Sequence, residues 1–124
     1  GFNYRLPNLN AALGLAQMES LPKILKVKRV VAERYQEWGE NNGIQFIKEP
    51  EHTKANYWLN TVITENITQR DAMLEQTNNN GVMTRPVWTP MHQLPMYQTC
   101  LRTEMLNTEW LFQRLINVPS SIRV

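Results

Sequence analysis

Gly1-Phe2-Asn3-Tyr4-Arg5-Leu6-Pro7-Asn8-Leu9-Asn10-Ala11-Ala12-Leu13-Gly14, residues 1–14, sets how the rest of the chain reads. A polar, aromatic and basic segment runs directly into a helix built of small residues. Leu6, Leu9, Ala12, Leu13 and Ala16 recur at steps of three and four, which predicts a helix packed closely against a neighbour. Asn8 or Asn10 is the expected cap, and the helix is expected to run to about Ser20. Asn3 and Arg5 carry donors suited to phosphate or carboxylate, and the planar fork of Arg5 can grip such a group at two points. On residue chemistry alone the plainer role leads, a helix start with a surface ion pair.

Outward from this stretch, Pro22 fits the first turn of a second helix. Ile24, Val27, Val31, Tyr35 and Trp38 make an amphipathic stripe along residues 23–41, and Asn41-Asn42-Gly43 ends it, with Gly43 in left-handed backbone. Ile44 to Ile47 predicts a short strand stopped by Pro50, and Glu49 to Ala55 a polar loop. Tyr57 to Thr64 alternates with both faces occupied, which predicts a strand. Thr68-Gln69-Arg70-Asp71 predicts a helix start capped by Thr68, fading through Asn78-Asn79-Asn80-Gly81. Val82 to Thr84 resumes extended chain. From Arg85 to Tyr97, Pro86, Pro90 and Pro95 deny regular helix. Asn107-Thr108-Glu109 starts a last helix, and Ile116 to Pro119 returns as a short strand. The expected fold class is α+β: a small, largely antiparallel sheet with helices on one face, the first helix pair standing somewhat apart.

Composition narrows the function classes. The chain has 124 residues, 42% hydrophobic and 19% charged, which is globular rather than disordered. A net charge of +2 with no basic stripe gives no electrostatic footprint for nucleic acid. No apolar run approaches the ~20 residues of a membrane span, and no signal peptide is visible. The single cysteine, Cys100, excludes an internal disulfide and fits a reducing compartment, so the expected localisation is cytoplasmic. The chain opens without methionine inside what reads as structure, which suggests a processed chain or a piece of a longer one.

Chemistry-bearing residues form an incomplete set. His52 and His92 lie far apart with no close ligand partners, so no metal site is expected. The five glycines are scattered singly and make no phosphate loop. Cys100 sits in an ordinary polar segment, and Glu33, Glu37, Asp71 and Glu75 read as solvated helix faces, so neither a thiol nucleophile nor paired carboxylates are indicated. Asn3, Tyr4, Arg5, Arg85, His92 and Tyr97 remain as ligand-contact candidates for an anionic, polyhydroxylated molecule. The loop 85–97 is costly to order unless it packs or binds. The alternative is a loop whose apolar members cover the core, with His92 merely satisfied.

Two motifs together carry a specific resemblance. Residues 1–14 resemble the signature that opens the C-terminal portion of the nucleotide-sugar aminotransferases of the DegT/DnrJ/StrS group. Thr84-Arg85-Pro86-Val87-Trp88-Thr89-Pro90-Met91-His92 with Leu94-Pro95-Met96-Tyr97 resembles that group's later substrate loop, and Val118-Pro119-Ser120-Ser121 its ending. The loop and Asn56-Tyr57-Trp58-Leu59-Asn60 are similar to the branch acting on UDP-linked 4-keto-6-deoxy amino sugars, on the route to bacillosamine or legionaminic-type sugars.

The resemblance implies a pyridoxal phosphate (PLP) enzyme of the type I aminotransferase fold, active as a homodimer. It takes a keto-sugar nucleotide, with glutamate the usual amino donor. By the same match the opening motif reaches the neighbouring subunit's site. Asn3 would bind the cofactor phosphate, and Arg5, Arg85, His92 and Tyr97 would contact or shape the site of the sugar nucleotide. PLP chemistry also needs a lysine that forms a Schiff base, an acidic partner for the ring nitrogen and an aromatic stack, all upstream of this motif in the group. Lys23, Lys26, Lys28, Lys48 and Lys54 lack that surrounding pattern. The expectation is therefore a C-terminal domain over 1–124, with interface helices over 1–42 and a sheet domain over 43–124. The large PLP-binding domain would be absent, and the chain alone would hold no catalytic residue and be inactive. The alternatives are a stand-alone module dimerising through its small-residue helix and, less favoured by charge, a nucleic-acid binder.

Overall fold

A computed structural model describes residues 4–122. Its first element, α1, spans Asn8–Asn42 as one helix. The two helices expected on either side of Pro22 are therefore continuous. Proline removes one N–H and crowds the carbonyl four residues back. That carbonyl belongs to Met18, in a stretch where every residue from 4 to 20 is exposed, so water can satisfy it. The start differs as well. Pro7 occupies the cap position with no side-chain bond, and its carbonyl accepts from Ala11 N at 3.0 Å. Neither Asn8 nor Asn10 caps the helix, because both already lie inside it.

The C-terminal half of α1 packs on the sheet. Gly43 has φ 68° and donates its N–H to the Gly39 carbonyl, the left-handed stop expected from the sequence. Gly39 itself is buried against the next strand. A Cβ there would lie 2.5 Å from the Ile44 carbonyl oxygen and 2.7 Å from the Phe46 ring. A side chain of any size would push the helix off the sheet.

Four short strands form one antiparallel sheet in the order β1-β2-β4-β3. They are β1 (Gln45–Phe46), β2 (Asn60–Ile63), β3 (Arg85–Pro86) and β4 (Leu115–Val118). The strand nearest the C-terminus thus fills the middle, with Val62 opposite Ile116 and Asn60 opposite Val118. The two-residue period places Asn60, Val62, Ile116 and Val118 inward, and Val62 and Ile116 are the largest of the fully buried side chains. Phe46, Val62 and Val118 form the core, covered by Tyr35 of α1, Ile44 and Met73. Tyr35 stacks on Phe46 at 5.3 Å, and its hydroxyl donates to the Pro119 carbonyl. Trp38 meets the same ring edge-on while remaining half exposed. Pro86 costs the sheet little because β3 is an edge strand.

Met73 belongs to α2, Ile67–Asn79. Its cap is Asn66, not the expected Thr68. The Asn66 side chain accepts from Gln69 N at 2.9 Å, and the Gln69 side chain accepts from Glu65 N at 2.7 Å. This reciprocal pair satisfies two backbone donors, and Thr68, two residues after the cap, already lies inside the helix. Beyond β3 the proline-rich segment forms two 3₁₀ turns, Met91–Gln93 and Pro95–Tyr97, before α3 at Leu106–Phe112.

Candidate functional site

The ligand-contact candidates occupy three separate places. Asn3 lies outside the described residues. Arg5 and Tyr4 sit on the exposed segment leading into α1. Leu9, Leu13 and Met18 follow on the same unpacked half-helix, each more than half exposed. The neighbour that the small-residue helix was expected to pack against is therefore not found within residues 4–122.

Arg85 opens the second place. It stands at the start of β3, next to Thr84, whose hydroxyl lies 2.6 Å from that of Thr77. The Asn78 side chain also donates to both the carbonyl and the hydroxyl of Thr84, at 3.1 and 3.0 Å. Thr84 is buried, so the edge of α2 fixes where Arg85 emerges. Arg85 lines a concavity of about 410 Å³ with Lys28, Trp58, Met83, Asn117 and Ser121. Lys28 reaches it from α1, donating to the carbonyls of Trp58 and Ser120. Burial lowers the pKa of its ammonium. Trp58 is stacked on Trp88, with ring centroids 5.8 Å apart and planes 24° apart. Lys28, Trp58 and Trp88 were not among the sequence candidates. No single-sequence signal joins a lysine on α1 to tryptophans 30 and 60 residues later. Only the helix–sheet packing brings them together.

His92 and Tyr97 mark the third place and do not line that concavity. His92 Nε2 lies 3.1 Å from the Glu109 carboxylate of α3, and the imidazole is only 9% exposed. Its Nδ1 is buried without a partner among the described residues. This geometry ties the first 3₁₀ turn to α3. Tyr97 is 40% exposed, and its backbone N–H bonds to the Leu94 carbonyl.

Lys23, Lys26 and Lys54 are exposed, Lys48 pairs with Glu40, and Lys28 is committed to two carbonyls. No group of three or more His, Cys, Asp or Glu residues among those described could hold a metal ion. No helix among them is long and apolar enough to cross a membrane.

Residues 1–124 match the DegT/DnrJ/EryC1/StrS aminotransferase family throughout. The chain belongs to that family. Among curated proteins, the DegT-type chain is 37% identical over 122 residues to a GDP-perosamine synthase of Vibrio cholerae, covering 96% of this chain and 33% of that one. The chain spans about a third of the length of the curated relatives it matches. Among solved structures it resembles Helicobacter pylori PseC, an aminotransferase involved in pseudoaminic acid biosynthesis, with a TM-score of 0.84 at 21% identity over 96% of this chain and 33% of that one. It also resembles the E. coli GDP-4-keto-6-deoxy-D-mannose-3-dehydratase, at 0.80 and 20%, over 97% and 32%. The α+β fold is thus that of the corresponding part of PLP aminotransferases. One such fold carries a dehydratase, so the fold alone does not choose the reaction.

Proposed function

We propose that this chain is the C-terminal third of a PLP-dependent aminotransferase that moves an amino group from glutamate to a nucleotide-linked 4-keto-6-deoxy sugar. The observation that carries this reading is the unbroken family match over residues 1–124, joined to relatives about three times as long. In the complete polypeptide PLP would supply the electron sink for nitrogen transfer, held by a lysine outside these residues. Within this chain, Asn3 and Arg5 are assigned to the cofactor and substrate side of a homodimer interface. Arg85 binds the substrate's charge, and Tyr97 shapes the sugar pocket. His92, expected to touch substrate, is better placed to fix the loop that carries Tyr97, through Glu109. The domain division follows the same reading, with residues 1–42 at the interface and 43–124 as the small domain.

The test uses borohydride to fix the cofactor covalently to the complete polypeptide. Peptide mapping is expected to find it on a lysine outside residues 1–124. Attachment at Lys23, Lys26, Lys28, Lys48 or Lys54 contradicts the reading. So does a complete polypeptide that binds PLP and releases a deoxygenated sugar with no nitrogen incorporated, which would be the dehydratase outcome.

A further inference from the structure

We propose that Arg29 and Tyr57 are positioning residues for the loop 85–97: they hold a left-handed turn that swings Trp58 out of the sheet and against Trp88. The inference rests on the reading above that this loop shapes the sugar-nucleotide site, and it names residues outside the loop that hold it in place.

An interrupted alternation is the first argument. The two-residue period that points Asn60 and Val62 inward would put Trp58 on the same buried face. Trp58 is instead 63% exposed, and β2 does not begin until Asn60. The interruption falls at Tyr57, whose φ is 48°. In left-handed backbone a Cβ crowds the following carbonyl, and an aromatic side chain has no local hydrogen bond to offset that cost. Among the described residues, His52 is the only other non-glycine residue with positive φ, and it stands on an exposed turn.

The second argument is what holds the turn. The Arg29 guanidinium lies over the Tyr57 ring, 5.4 Å from its centroid, as a cation–π contact. The same guanidinium donates to Glu49 and to the Ala55 carbonyl, so it is itself fixed to both ends of the segment leading to Tyr57. Beyond Tyr57, the Asn56 side chain accepts from Trp58 N at 2.9 Å, and the Trp58 carbonyl accepts from Lys28 Nζ at 3.2 Å. The Trp58 backbone is thus bound on both sides, while its ring has left the face that the strand period assigns to it. Backbone strain persists where the surroundings over-determine it, and here they aim one indole.

What that indole meets is the third argument. Trp58 and Trp88 are stacked with ring centroids 5.8 Å apart, although Trp88 is itself 71% exposed. Trp88 lies two residues beyond β3, near the start of the loop, and His92 further along is tied to Glu109 of α3. The loop is therefore fastened at two points, one on the β1–β2 connection and one on α3. A loop already fastened loses less freedom when a ligand orders it, so the fastening is read in ligand affinity.

The experiment uses the complete polypeptide. Two stacked indoles couple their electronic transitions and give a paired positive and negative band in far-ultraviolet circular dichroism. Subtracting the spectrum of Trp88→Phe or of Trp58→Phe isolates that band. Tyr57→Val resists left-handed backbone and has no ring, and Arg29→Met has no charge, so each is expected to lose the band, while Tyr57→Phe keeps it. In Tyr57→Val and Arg29→Met the sugar-nucleotide KM should rise by about two- to tenfold with the glutamate KM unmoved. Thermal melting confirms that each variant is folded, and one that fails to fold is replaced by Tyr57→Leu or Arg29→Lys, read in the same way. An unaltered protein without the band, or a band kept in either Tyr57→Val or Arg29→Met, overturns the inference. So does a lost band with the sugar-nucleotide KM unmoved, or with both KM values raised alike; continued amino transfer would then leave the proposed function standing. A band that behaves as expected in a protein that transfers no nitrogen would overturn the proposed function and leave the hold of Arg29 and Tyr57 on Trp58 intact.

Discussion

At the scale of single residues, two side-chain choices decide whether α1 can sit on the sheet. Gly39 is present because the Ile44 carbonyl and the Phe46 ring occupy the space a Cβ needs. Gly39→Ala is therefore expected to cost about 1–3 kcal/mol by overpacking, read as a lower urea midpoint with an unchanged slope. An unchanged midpoint would mean the helix and β1 are not in contact. The second choice is the Arg29–Glu49 pair. Both terminal guanidinium nitrogens of Arg29 donate to the Glu49 carboxylate at 3.1 Å, and one also donates to the Ala55 carbonyl at 2.9 Å. Glu49 in turn accepts from Ala55 N, so α1 and the β1–β2 connection are closed by one cluster. The hydrogen bond from Arg29, then that from Ala55, lowers the carboxyl pKa. A carboxyl with a depressed folded pKa contributes stability that is present above its unfolded value of about 4.3 and lost as pH falls through the folded value. Between about pH 6 and pH 3 the native chain should lose more stability than Glu49→Gln. Equal losses would show that the pair does not couple to folding.

The elements differ in how far the sequence alone reveals them. Gly43 and the alternation around Asn60–Ile63 were legible, because a left-handed stop and a two-residue period are local properties. The Asn66 cap was not. Thr68 offers the same chemistry two residues later, and only the reciprocal Gln69 bond distinguishes them. Continuity through Pro22 was also illegible, since a proline at a helix start and one in an exposed helix look alike in a single sequence. If solvent satisfies the Met18 carbonyl, Pro22→Ala should raise helicity over residues 8–21 without shifting unfolding of the sheet core. Circular dichroism and the unfolding midpoint separate the two effects. A midpoint rising in step with helicity would show that the first half of α1 is coupled to the core. Of the residues lining the concavity, Arg85 had been singled out by its motif. Its neighbours Lys28 and Trp58 were not, because strand order and helix packing, not sequence distance, set their proximity.

For the whole molecule, the dominant feature is a half-helix that nothing among the described residues covers. Leu6, Leu9, Leu13, Leu15 and Met18 are all well exposed ahead of a sheet that buries its own inner face. A surface of that kind favours association in water. The 124-residue chain is expected to self-associate with rising concentration in light scattering, and Leu9→Ser with Leu13→Ser to reduce it. A strict monomer at all concentrations would contradict the expectation. Under the proposed function, these residues complete a cofactor-dependent site housed largely elsewhere in the polypeptide. Its most direct test supplies the complete polypeptide with PLP, glutamate labelled with heavy nitrogen and a 4-keto-6-deoxy sugar nucleotide. The account predicts the heavy nitrogen in the sugar of the product by mass spectrometry. An unlabelled sugar, with the keto group intact or removed without nitrogen, would contradict it.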